Sequence, residues 1–321
     1  MKKVRKLLSI LLIFSIATLS FIPLTNDITT AQAASGIYIN DTNLTLEVDH
    51  YKTLRIKGTS KKVSWSTSNS QVASVSSSGK VFAKAPGSAT ITAKVGGQKI
   101  RCKVNVIYIK KNIVLAKNKT TTLKVYGNTK NVTYASSDPS IVTVSSSGKL
   151  KAKSTGTVYI TANVDGKEIN SKVTVVGLNY DSIVLELGGW SGFIKTMKVN
   201  GSSSKVKWST GNSVIATVDK EGIVRAKGPG TTKITATVDG IKLTSTVKVI
   251  KASDKEFTLD MGQTKSLSIL GTDNKITWDS NMKTVATVSS KGVVSAVGPG
   301  TADIYGFVDG RKVTFTVHVE D

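Results

Sequence analysis

Apolar and polar residues alternate in short runs along most of the chain. In one representative stretch the runs are Thr122 to Val125, Ile141 to Val144 (loosely), Lys149 to Lys153, Tyr159 to Val164 and Glu168 to Val175. A period of two with one apolar face predicts half-buried strands. No window carries a helical period with a cap. Turn chemistry separates the runs at intervals of about ten residues, the spacing of a β-sandwich. Asp165-Gly166, Asp239-Gly240 and Asp309-Gly310, with Gly96-Gly97, predict two-residue hairpins, because such dipeptides accept positive φ at both turn positions. Ser78-Gly79, Ser147-Gly148, Glu221-Gly222 and Lys291-Gly292 mark a second hairpin. Pro86-Gly87, Thr155-Gly156, Pro229-Gly230 and Pro299-Gly300 mark a third turn.

This pattern occurs four times. Ten residues after Trp65, Tyr134, Trp208 and Trp278 stands a valine (Val75, Val144, Val218, Val288). Fourteen after stands a glycine (Gly79, Gly148, Gly222, Gly292), and eighteen after an alanine (Ala83, Ala152, Ala226, Ala296). The register holds to Val104, Val173, Val247 and Val317. Such a repeat determines the architecture before any chemistry is considered. The expectation is an all-β tandem array of four sandwiches over residues 34–107, 108–176, 177–250 and 251–321, with Trp65, Tyr134, Trp208 and Trp278 in the cores. A unit this small buries only about 60% of its unfolded surface, so each anchor carries a large share of a thin core. The junctions Val106-Ile107-Tyr108 and Val175-Val176-Gly177 run nearly strand to strand, which predicts an extended, semi-stiff array of nearest-neighbour contacts.

The segments Trp65-Ser66-Thr67-Ser68, Val72-Ala73-Ser74-Val75, Gly79-Lys80-Val81, Ala83, Pro86-Gly87 and Thr90-Ile91-Thr92-Ala93 resemble the bacterial immunoglobulin-like domain, group 2. The other three units resemble it as well, and repeat two departs at Tyr134, Ala135 and Ser154-Thr155. The resemblance implies an immunoglobulin-like sandwich in extracellular or cell-surface proteins, acting as a stalk, a binding module or a spacer on secreted enzymes. It carries over no catalytic residues.

The N-terminus has a separate character. Lys2, Lys3, Arg5 and Lys6 precede the apolar run Leu7 to Ile22 and the small-residue site Ala31-Gln32-Ala33. This predicts a signal peptide over residues 1–33, cut after Ala33. The mature chain is then expected to have no transmembrane segment and to be secreted, extracellular or cell-wall associated. Cys102 is the single cysteine, so no intramolecular disulfide is available. It lies in phase with Ile100, Val104 and Val106, the place of a small buried hydrophobe.

Charge changes the picture of partners, not of fold. The net charge is +23, and without residues 1–33 there remain 40 basic and 20 acidic residues. Repeats one and two carry +8 each, repeat three +5 and repeat four −1. Beyond the inward positions Val81 and Ala83, strand alternation places Lys80, Phe82 and Lys84 outward. The counterparts are Lys149, Lys151 and Lys153, then Ile223, Arg225 and Lys227, and finally the uncharged Val293, Ser295 and Val297. Lys80, Lys84, Lys149, Lys151, Lys153, Arg225 and Lys227 are therefore candidate polyanion-binding residues. The alternative is a solvated strand face or an edge protected by lysine.

An anionic cell-wall polymer or acidic polysaccharide is the expected partner, and a host surface ligand would offer the same chemistry. Lysines are not interleaved with aromatics as in single-strand binders, which argues against sequence-specific nucleic-acid recognition. Catalysis is not expected. The two histidines, His50 and His318, occupy unrelated places, too few and too scattered for a zinc site or a catalytic triad. One carboxylate per Asp-Gly tip is too few for calcium. No cofactor is expected. Repeat three has a spacing of twelve from Leu185 to Met197, where the other repeats have eight. Its glycine-rich loop carries Trp190 and Phe193, which serve either as contacts or as packing against the sandwich. The functional expectation is a non-enzymatic binding or adhesion protein held by charge. The competing expectations are a structural spacer or matrix component, or the non-catalytic subunit of a secreted assembly.

Overall fold

The computed structural model describes residues 36–127, 131–188 and 193–321. The expected signal peptide lies outside them. Among the described residues every regular element is a strand, and each repeat sets a larger sheet against a smaller one. In repeat two, Asn112–Ala116 runs parallel to Lys167–Leu178. That long strand pairs antiparallel with Gly156–Val164, which pairs with Val132–Ser136. The smaller sheet has Lys149–Ala152 in the middle, between Thr120–Thr122 and Val142–Val144. Repeats one, three and four repeat this order. The alternation explains the layers: Leu150, Ala152, Ile160 and Val173 are buried between the sheets, while Lys149, Lys151 and Lys172 face outward.

The hairpin tips take the backbone conformation that their residues favour. Asp165, Asp239 and Asp309 have φ of 49, 49 and 53°, each followed by a glycine at 72 to 82°. The fourteen-residue spacing from aromatic to glycine is a contact. Each anchor is half-buried, with its ring against the turn glycine of the second hairpin. A Cβ on Gly79, Gly222 or Gly292 would stand 2.9 Å from a ring carbon of Trp65, Trp208 or Trp278, and one on Gly148 3.0 Å from Tyr134. The same four glycines also have positive φ, from 76 to 83°.

One expected strand divides. Alternation continues from Thr122 to Val125, but the chain changes sheets there. Thr120–Thr122 pairs within the smaller sheet. Leu123 is buried with its N–H on the Gly148 carbonyl at 2.9 Å. Val125–Tyr126 then pairs with Tyr108 and Ile109, at the end of repeat one's last strand.

Three junctions share this arrangement. The strands Gln98–Ile109, Lys167–Leu178 and Ile241–Ala252 each run from one repeat into the next. Their final residues pair with Val125–Tyr126, Val199–Asn200 and Ile269–Leu270. Ile109 is part of the core of repeat two, and Ala252 of the core of repeat four. Gly127, Gly201 and Gly271 permit the close approach, because a Cβ on each would collide with the carbonyl of Val106, Val175 or Val249.

Cys102, Ser171, Ser245 and Phe315 share one buried position. Burial, reinforced by the negative charge of Asp41, pushes the Cys102 thiol up to about 11. It is therefore a protonated, unreactive group at neutral pH. Ser171 donates to the Lys110 carbonyl at 2.6 Å, whereas the Ser245 hydroxyl has no partner among the described residues.

Two stability predictions follow from these contacts. Gly148→Ala forces a left-handed backbone and a ring clash, while Gly166→Ala meets open space at its Cβ. Gly166→Ala should cost about 1–2 kcal/mol from backbone conformation alone, and Gly148→Ala clearly more, measured by chemical denaturation of the purified chain. Ser245→Ala should stabilise repeat three by roughly 1 kcal/mol by removing an unsatisfied buried hydroxyl, seen as a higher denaturation midpoint.

Candidate binding surface

The seven candidate basic residues are all exposed. They lie on or directly after the middle strand of the smaller sheet, so protection of a sheet edge does not account for them. Alternate residues on one face stand roughly 7 Å apart along a strand. Lys84, Lys153 and Lys227 continue this alternation just past the strand, where their N–H groups are held by the carbonyls of Val72, Ile141 and Ile215 at 2.8 Å.

Repeat two presents the most uniform face. Lys149 and Lys151 stand opposite Thr122 and Thr120, with Thr143 on the other side of Lys151. In repeat one Phe82 interrupts the lysines at 37% exposure, and the Lys80 ammonium sits 3.7 Å from the centre of the Tyr51 ring. Arg225 in repeat three faces Asp219 at 3.6 Å, the single carboxylate partner found for these seven among the described residues. Repeat four presents Val293, Ser295 and Val297 there.

A second basic face was not foreseen. On the larger sheet of repeat one, Lys99, Arg101 and Lys103 point outward, and Lys94 stands directly opposite Lys99. Like charges directly opposite each other destabilise a sheet. The same alternation that places Ile100, Cys102 and Val104 inward marks these residues in the sequence.

The rest of the candidate set is dispersed. Trp190 lies outside the described residues. Phe193 is 40% exposed, and its carbonyl accepts the Ala226 N–H at 2.9 Å. Trp65, Tyr134, Trp208 and Trp278 pack against the repeat cores. His50 bonds the Val48 carbonyl, while His318 lies between Thr301 and Glu256. Among the described residues no group of three or more His, Cys, Asp or Glu is arranged to hold a metal ion. No helix among them is long and apolar enough to cross a membrane.

The junctions differ in chemistry. Glu47 pairs with Lys111 across the first, and Glu186 pairs with Lys255 at 2.7 Å across the third. The second has Ala116 and Asp181 at these positions. It is closed instead by apolar contact among Val114, Val176, Leu178, Val199 and Leu243. At the third junction the hairpin-tip residue Asp309 receives Lys248 at 2.9 Å, Thr272 and Asn274. Arg311 also donates to the Val184 carbonyl at 2.6 Å. Burial works to raise the Asp309 carboxyl, but the hydrogen bonds from Lys248, Asn274 and Thr272 and the Lys248 charge outweigh it and hold the group below its ordinary range.

This architecture defines an array of immunoglobulin-like β-sandwiches. Four successive stretches, residues 32–104, 103–176, 193–249 and 245–318, match the bacterial Ig-like domain (group 2), and the chain belongs to that family. It is 28% identical over 286 residues to ice-binding protein 1 of Shewanella frigidimarina, covering 75% of this chain and 32% of that protein. It is 30% identical over 101 residues to alpha-1,3-galactosidase A of Peterkaempfera griseoplana, covering 30% of this chain and 14% of that protein. The chain thus spans a third or less of the length of these curated relatives. Among solved structures it is similar to invasin, described as a bacterial integrin-binding protein, at 13% identity and a TM-score of 0.28, covering 81% of this chain and 72% of that one.

The depressed Asp309 carboxyl makes the third junction acid-sensitive. Its contribution is complete above the ordinary carboxylate range and is lost as pH falls through the lower folded value. Protection factors of the amides from Val308 to Arg311, corrected for the intrinsic pH dependence of exchange, should therefore fall in acid below that range and stay constant from about pH 5 to about pH 8. Lys248→Met should weaken protection at neutral pH.

Proposed function

We propose that this chain is an exported, non-enzymatic binding or adhesion protein of a bacterial surface. It is held by electrostatic contact with an anionic envelope polymer or acidic polysaccharide, and a host surface ligand of the same chemistry would serve equally. The observation that carries this reading is the outward lysine face of repeats one and two, on central strands and without carboxylate partners among the described residues. The opposed Lys94 and Lys99 supply a second place where a polyanion relieves repulsion. Exposed charges of this kind act over about a Debye length and are screened by salt. Segments shared with both an ice-binding protein and a galactosidase belong to relatives of unrelated activity, which supports a non-catalytic role.

A second role is favoured by the strands that pass unbroken through each junction, which suit a spacer that sets distance. Salt separates the two. The binding protein should sediment with its own cell walls at low ionic strength and be released by moderate salt. Changing Lys80, Lys84, Lys149, Lys151, Lys153, Arg225 and Lys227 to glutamine should strongly weaken this retention, and unchanged sedimentation would leave the spacer role alone. Removing repeat four should alter retention little.

A further inference from the structure

An open cleft of about 530 Å³ lies at the first junction, within the size range of ligand sites. One wall is the outward face of repeat one, where Asn43 stands beside Lys103 and Thr45 beside Asn105 on parallel strands. The other wall is the hairpin tip of repeat two, Asp165-Gly166-Lys167. Leu44 adds an apolar patch.

The other two junctions show what this position does when it serves packing alone. At the third, Thr45, Asn105 and Lys167 are replaced by Val184, Lys248 and Arg311. Their contacts close the position, with Lys248 on Asp309 and Arg311 on the Val184 carbonyl. At the second, Val114 and Ile241 occupy the places of Thr45 and Lys167 and join an apolar cluster. At the first, neither Lys103 nor Lys167 makes an ion pair among the described residues. Two ammonium groups, two side-chain amides, a hydroxyl and a carboxylate line one concave space.

We propose that the cleft between repeats one and two binds a single anionic polyol unit, a polyhydroxylated residue bearing a carboxylate or phosphate, within an acidic glycan or envelope polymer. Lys103 and Lys167 take the anionic group. Asn43, Thr45 and Asp165 bond hydroxyls, and Leu44 meets the carbon skeleton. The proposal rests on the polyanion reading above and gives it a local site for one unit of the polymer.

The test is a titration of the full-length chain with short probes, a galacturonate trimer and a glycerol phosphate trimer, with a neutral galactose trimer for comparison. At least one anionic probe should bind, with the neutral one at least tenfold weaker. Binding of only one probe identifies the carboxylate or the phosphate, and binding of both supports recognition of the shared chemistry. The double substitution Lys103→Gln, Lys167→Gln should weaken binding at least tenfold without shifting the melting temperature. Asp165→Gly should also weaken it while preserving the turn, since repeat one already has Gly96 at that place. The glutamine variant of the outward lysine face should bind the trimers normally. If neither anionic probe binds, or if the cleft variants bind as the parent does, the site is overturned. Loss of cell-wall retention in the lysine-face variant alongside normal trimer binding would confirm that the two surfaces are separate. Loss of retention with no trimer binding at all would leave the charged face standing and refute the cleft.

Discussion

The structure depends on one strand used twice. In each of the first three repeats the closing strand completes its own larger sheet and then pairs with a short strand of the next. A peptide plane is rigid and a paired strand has little torsional freedom. Neighbouring sandwiches are thus joined by regular secondary structure in place of a flexible tether. The approach is so close that the receiving loop needs glycine at Gly127, Gly201 and Gly271. Gly58 has the same role in repeat one, where it lies against Gly36 and Ile37, just before Tyr38–Ile39 pairs with Ile56–Lys57. Repeats two, three and four each receive the closing strand of the repeat before.

With that backbone constraint satisfied, the side chains at the junctions are free to differ. The second is apolar, the third is held by charge, and the first keeps one ion pair but leaves a polar cleft. Burial of apolar area involves no titrating group and is not screened by ionic strength, whereas the Lys248–Asp309 contact is sensitive to both pH and screening. One scaffold therefore supports adjacent junctions of different chemistry. The charge gradient along the array is a further variation of the same kind, since the outward positions of the small sheet can change from lysine to valine without altering the inward Val294 and Ala296.

Much of this was legible in the sequence because alternation and turn chemistry are local. The Asp-Gly tips, the aromatic anchors and the outward lysines all follow from a period of two and from the tolerance of glycine and aspartate for positive φ. Four features were less legible. The break at Leu123 is invisible because a strand that changes sheets keeps its alternation. Gly127, Gly201 and Gly271 recur in register, four residues after Leu123, Met197 and Leu267, yet a glycine that admits a neighbouring domain looks like any turn glycine. The pairing of Glu47 with Lys111 depends on how two repeats meet, and nothing in either segment alone announces it. The candidate surface was legible as a face, but its central position in the sheet was not, since one strand's pattern does not reveal what lies on both sides.

The order of strands also determines how each repeat responds to tension. The chain enters repeat two through Asn112–Ala116 and leaves through Lys167–Leu178, and these two strands are parallel neighbours. A pull on the two ends slides one along the other, loading their hydrogen bonds together instead of opening them one by one. Each sandwich is thus oriented to resist being drawn out under traction.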